Sequence, residues 1–273
     1  MTRIDPVAIR TTPRFAPPAV SRWTAALLLA GVLFLAGAPA AAQAYATADE
    51  LIAAVDARPE PETLQATMEM VLTNAAGQTL TREMRTWARG DEMRVMKFTA
   101  PADIAGSGFL MIDDGATQET LVYLPALDRV RRVAGGQRGE SFFGSDFSYE
   151  DVEGIDPGDY DHELIEVRDG PVYVVEATPK PEAESSYDRL VLEVPEDTLI
   201  PDRVTYYVDG EAVKELTVHD VEEVGGYLLG LERRMATLND GRDDGSFTII
   251  RQSDLTLDEE LPDEVFSERF LRR

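Results

Sequence analysis

The sequence predicts a mainly β protein built on a single curved antiparallel sheet. This is a half or incomplete barrel of about eleven strands, with a few short helices covering its concave face. Three observations predict it. Segment after segment alternates apolar and polar residues with a period of two, the pattern of a half-buried strand. Asp-Gly pairs stand among these runs at 114–115, 169–170, 209–210, 240–241 and 244–245. Both residue types tolerate positive φ, so such a pair between alternating runs marks a tight hairpin. No alternation of strand and helix patterns appears, which argues against parallel βαβ units.

The elements follow in order. Arginines at 3, 10, 14 and 22 precede an apolar run from Ala25 to Ala38, then Pro39 and a string of small residues. This is the layout of a cleaved secretory signal peptide over residues 1–44, with cut points after Ala44 or Ala46. The apolar run is short of the roughly 20 residues that span a bilayer. The remaining residues 45–273 are expected to form a single domain. Thr47-Ala48-Asp49-Glu50 carries the signature of a capping box opening a short helix that ends before Pro59. The run 63–73 then alternates, with Leu64, Ala66, Met68, Met70 and Leu72 on one side. Strand patterns continue to about residue 255, broken by a short turn or helix near Pro101. A last short helix is expected from Pro262.

The chain has 26 basic and 51 acidic residues, a net charge of −25. Without residues 1–44, which hold four Arg and one Asp, the balance is 22 to 50. Nucleic acid is an unsuitable partner for such a surface, because phosphate contacts need the opposite sign. There is no cysteine, so no disulfide staples the exported fold.

Catalytic signatures do not emerge. His162 and His219 lie in different strand patterns, and no nucleophile elbow, zinc-protease helix or phosphate loop is present. The expectation is a non-enzyme that needs neither metal nor cofactor.

Two uneven distributions are more informative. Six of eight methionines, Met68, Met70, Met84, Met93, Met96 and Met111, fall within one block of strands. Methionine is unbranched and polarizable, and it repacks around irregular apolar partners. Such a block suits either an ordinary core or a cavity for flexible acyl chains. Met68, Met70, Met84, Met96, Phe98, Phe109 and Met111 are the candidate cavity lining. The second is basic: Arg129, Arg131, Arg132 and Arg138 cluster within ten residues. They suit internal pairing with Asp146, Glu150 and Asp151, blunting of a sheet edge, or docking of an acidic partner or lipid head group. Residues 141–154, SFFGSDFSYEDVEG, mix rings and acids and follow a glycine-rich loop. They are expected to form a turn and a short rim segment. Phe143, Phe147 and Tyr149 would then pack against the sheet or at the cavity mouth, with Asp146, Glu150 and Asp151 facing water or the arginines.

Three stretches, "FTAPADIAGSGFLMIDD", "TLVYLPALDRVRRV" and "GESFFGSDFSYEDVEG", occur in that order between Phe98 and Gly154. Together they resemble the outer-membrane lipoprotein-sorting protein family, the LolA-like periplasmic carriers. The resemblance continues more loosely over the rest of the chain after residue 44. It implies a helix-lidded half barrel in the periplasm whose concave face holds lipid or acylated lipoprotein cargo. It further implies an inner-membrane transporter as donor and an outer-membrane acceptor. The chain itself is expected to be a monomer. The region after residue 44 is longer than a typical carrier of this family, and the family supplies no catalytic residues.

Overall fold

The computed structural model describes residues 44–115 and 117–273. They belong to a compact unit, Gln43–Arg273. The apolar run read as a signal peptide lies outside the described residues. The chain enters through α1 (Ala48–Asp56) and then runs through β1 (Thr63–Thr73), β2 (Thr79–Arg89), β3 (Met93–Ala100), β4 (Gly108–Asp113), β5 (Gln118–Leu124) and β6 (Arg129–Val133). A long loop containing α2 (Tyr149–Glu153) leads to β7 (Tyr160–Arg168), β8 (Val172–Pro179), β9 (Arg189–Pro195), β10 (Arg203–Val208), β11 (Glu211–Val224), β12 (Tyr227–Asn239) and β13 (Arg242–Leu257). The chain closes with α3 (Glu268–Leu271).

All thirteen strands form one antiparallel sheet in the order β6-β5-β4-β3-β2-β1-β13-β12-β11-β10-β9-β8-β7. It is two meanders joined where β1 pairs with β13, with Met70 opposite Ile250. Thirteen strands slightly exceed the expected eleven or so, and β6 is one of the two edges. It has five residues, three of them arginines.

Laid flat, thirteen strands would span about 58 Å between the outer two, at about 4.8 Å per strand. The sheet curls instead, because chain next to one edge reaches chain beside the other. Arg138, just past β6, donates from Nη1 to the Ala183 carbonyl between β8 and β9 at 3.0 Å. Five register shifts add bends along the way.

Turn chemistry follows the sequence. Asp209-Gly210 and Asp240-Gly241 both hold positive φ at consecutive positions, the requirement of a type I′ hairpin turn. Asp244-Gly245 departs from expectation, since it lies inside β13 rather than between strands. The helix expected after Thr47 is present, but its capping is only half as predicted. Thr47 Oγ1 accepts from the Glu50 N–H at 3.2 Å, whereas the Glu50 carboxylate accepts from Ala46 N–H at 2.8 Å. Residues 101–106 form turns rather than a helix.

The two faces bury separate cores. The inner one gathers Met68, Met70, Met84, Phe98, Phe109 and Met235 with Leu51 and Ile52 of α1. The outer one, smaller, seats Leu261, Val265, Phe266 and Leu271 on Val95, Leu110 and Tyr123.

Candidate functional site: the inner face and its covering segment

Alternation along each strand decides which side chains point inward. Met68 lies opposite Met84, and Met84 opposite Phe98, so successive strands carry one apolar row across the sheet. Phe109 lies opposite Met96. All seven residues expected to line a cavity, Met68, Met70, Met84, Met96, Phe98, Phe109 and Met111, are buried in this inner cluster. Met93, an odd neighbour in the same block, packs with the outer core instead.

Something other than solvent covers this wall. Residues 141–153 fold over it as a hairpin-like loop running into α2. Phe142 N–H donates to the Phe147 carbonyl at 2.7 Å, and Ser141 bridges to Ser148. Phe143 and Gly144 take positive φ at the tip. Phe142 is then driven into the wall, its ring 5.6 Å from Phe109, 6.2 Å from Phe98 and 5.7 Å from Tyr149. Phe143 lies 4.7 Å from Phe98. Offset and edge-on pairs of this kind add about 0.5–1.5 kcal/mol each beyond burial. The segment is therefore a plug, not the rim expected from sequence. Phe142, Phe147 and Tyr149 are core residues, and Phe143 is half-buried against them.

The acids of the plug explain its mixed composition. Ser148 and Asp151 form a reciprocal capping box: Ser148 Oγ accepts from Asp151 N–H at 3.1 Å and Asp151 Oδ2 from Ser148 N–H at 2.6 Å. Asp151 also accepts from the Tyr187 hydroxyl at 2.8 Å and from Lys214 Nζ at 3.0 Å. Burial, then the Asp151 charge, pushes the Tyr187 hydroxyl far above its ordinary range, so it stays a donor. Glu150 accepts from Ser185 Oγ at 2.5 Å and Ser186 N–H at 2.9 Å. Glu153 accepts from Arg138 Nε at 2.7 Å and Thr120 Oγ1 at 2.5 Å. Buried charges persist when paired or hydrogen-bonded: Asp151 and Glu153 have both a cation and hydrogen bonds, whereas Glu150, among the described residues, is held by the serines alone.

This corrects the expected pairing. Asp146 does not pair with the arginines; half-buried, it accepts from Thr237 Oγ1 and Thr248 Oγ1, each at 2.7 Å. Nor does the arginine cluster act as a set. Arg131 pairs with Glu140 at 3.1 Å and lies 5.8 Å from the Tyr149 ring. Arg132 points the other way, to Glu119, and Arg129 is exposed. The capping box at Ser148–Asp151 is the signal that could have revealed α2 in the sequence.

Two hollows mark the surface. One is small and polar, with Arg138, Glu150, Asp151, Tyr160, Tyr187 and Tyr206 in its walls. The other is an open groove of about 500 Å³ between α1 and β7, bordered by Asp49, Ile52, His162 and Lys180. Neither includes any of the seven apolar wall residues. His219 Nε2 lies 3.1 Å from Thr217 Oγ1. No group of three or more His, Asp or Glu side chains among the described residues could hold a metal ion.

With this geometry in place, the chain can be set beside known proteins. A DUF1329 family protein from Desulfovibrio piger superposes with a TM-score of 0.74 and 31% identity, covering 81% of this chain and 96% of its own. An outer membrane lipoprotein-sorting protein domain from Vibrio parahaemolyticus gives 0.75 and 28%, covering 82% and 97%. A LolA superfamily protein from Nitrosomonas europaea shares the fold, with a TM-score of 0.67 at 18% identity over 83% and 100%. No curated protein matches the sequence. A family model described as "Uncharacterized protein" matches residues 90–273. The chain belongs to the LolA-like family.

Proposed function

We propose that the protein is a periplasmic, non-enzymatic carrier. On this reading it holds the acyl chains of a lipid or lipoprotein against the inner face on their way toward the outer membrane. One observation carries the reading. Six methionines, Met68, Met70, Met84, Met96, Met111 and Met235, meet in one cluster with Phe98 and Phe109. That wall is closed by α1 and the plug, which are not strands of the sheet. A wall of soft, adaptable side chains under covers outside the strand ladder suits a guest of variable shape. Each buried methylene of an acyl chain contributes about 0.8 kcal/mol, so two chains need no covalent attachment. Because Phe142 occupies the wall in this structure, acyl chains enter as the plug leaves, and release reverses the exchange.

The test is direct. Protein purified from the periplasm is extracted and its lipid quantified by mass spectrometry, for wild type and for Met68→Asp with Met70→Asp. Wild type should carry diacyl lipid and the double variant little. Wild-type protein that is lipid-free and takes up no fluorescent acyl probe would sink the reading.

A further inference from the structure

Away from the plug's acids, the inner face carries a second set of charges, and these are basic. Arg94 of β3 lies opposite Ala88 and Met111 and so faces inward. Arg233 of β12 lies opposite Ile250 and Val218, also inward. The two come from walls separated by β2, β1 and β13, yet the curl brings their charges within reach of each other, along with Arg58 and Glu60. Arg58 enters from the turn before β1, its Nη1 3.5 Å from the Leu228 carbonyl of β12.

The set is short of counter-charge. Glu60 pairs with Arg58 at 2.7 Å. Arg58 Nε is nonetheless buried with no hydrogen-bond partner. Among the described residues, the Arg94 side chain donates to the Val152 carbonyl alone, at 2.6 Å. Arg233 makes no ion pair or hydrogen bond among the described residues. Burial pushes both Arg94 and Arg233 below the ordinary arginine range, and Arg94 itself adds to the effect on Arg233. The acids of α2 cannot relieve this, since each is committed to Lys214, Arg138 or the serines at 185–186. Two carboxylates, Asp91 and Glu60, lie near these guanidiniums, but among the described residues neither forms an ion pair with Arg94 or Arg233, in a chain of net charge −25.

We propose that Arg58, Arg94 and Arg233 form an anion site on the inner face that holds the phosphate of a phospholipid while its acyl chains lie along the methionine wall. Guanidinium forks match phosphate oxygens in pairs. The site rests on the carrier reading and adds the class of cargo. It also links headgroup to plug, because a phosphate on Arg94 competes with the carbonyl that ends α2.

The experiment offers the full-length exported protein vesicles containing equal amounts of dioleoyl phosphatidylglycerol and dioleoylglycerol, and measures both lipids on the re-isolated protein. Wild type should be enriched in the phospholipid by about tenfold or more, equivalent to about 1.4 kcal/mol. Arg233→Gln should bring the ratio close to one, Arg233→Lys should restore part of it, and Arg132→Gln on the outer face should leave it high. Equal uptake of both lipids by wild type would overturn the anion site and leave the carrier reading standing. So would an unchanged ratio in Arg233→Gln. Uptake of neither lipid would remove the carrier reading as well. Calorimetry with inorganic phosphate separates the source: binding as tight as that of the phospholipid would make the site one for a free anion and overturn the lipid assignment.

Discussion

Residues 141–153 cover the inner face of the sheet and residues 261–271 the outer face, and their chemistry differs. The outer cover is apolar where it touches the sheet. Leu261, Val265, Phe266 and Leu271 are buried, and Phe270 stands edge-on to Trp87 at 5.2 Å. A Cβ on Gly108 would lie 2.6 Å from Leu271 Cδ1, so Leu271 fills the space that a larger residue in β4 would need. Its polar links sit at the margin, as in Arg89 Nη2 to the Leu261 carbonyl at 2.6 Å. The inner cover drives one aromatic cluster into the wall but is otherwise tied by buried carboxylates. Apolar contact is non-directional and tolerates sliding. A hydrogen-bonded buried charge is directional and costly to strand. The inner cover therefore has one defined closed position, whereas the outer cover is a permanent seal.

The largest expected effects test that contrast at its apolar anchors. Phe142→Ala and Leu271→Ala each remove a fully buried side chain. Urea unfolding should show losses of about 3–5 and 2–5 kcal/mol respectively. Only Phe142→Ala should also raise uptake of a fluorescent acyl probe, because only it empties space on the methionine wall. Equal probe uptake by both variants would erase the distinction between plug and seal.

Next comes the buried pair. Lys214→Met leaves the Asp151 carboxylate, whose side chain is 1% exposed, with the Tyr187 hydroxyl and the Ser148 N–H but no cation. A loss of about 3 kcal/mol is expected, with Lys214→Arg recovering part of it. A loss below about 1 kcal/mol would show that the hydroxyl and amide bonds alone hold α2.

A smaller effect concerns α1, the other inner cover. His162 of β7 faces the groove beside it, near Asp49 of α1, Lys180 just past β8 and Asp161 of β7. Burial lowers its pKa, with Asp49 partly opposing. The unfolded chain then binds the proton more readily than the folded one. The contribution is thus absent above pH 7 and becomes destabilising as pH falls below about 6.5 toward the folded value. The wild-type urea midpoint minus that of His162→Gln should be constant above pH 7 and shrink toward pH 5. A difference that grows on acidification would reverse the sign assigned here.

The smallest effect is on the outer surface. Arg132 and Glu119 form an exposed ion pair, and Arg132→Ala should change stability by less than about 1 kcal/mol. A larger loss would mean that this edge strand depends on the pair.

Much of this architecture was legible in the residues. Alternation placed Met68, Met70 and Met84 on one face, and Asp-Gly located four hairpins. Alternation cannot say what lies on top of a face, which is why the plug looked like a rim. Asp151 is tied down by Tyr187 and Lys214, which stand 36 and 63 positions away from it. The same holds for Arg94 and Arg233, 139 positions apart in sequence, whose meeting depends on the curl of the sheet.

The most direct test of the central claim locks the plug. The chain has no cysteine, and Asp146 of the plug touches Thr248 of β13, so Asp146→Cys with Thr248→Cys offers a single reversible link. The account predicts that the oxidised protein rejects a fluorescent acyl probe and that reduction restores uptake. Equal uptake in both redox states would contradict it.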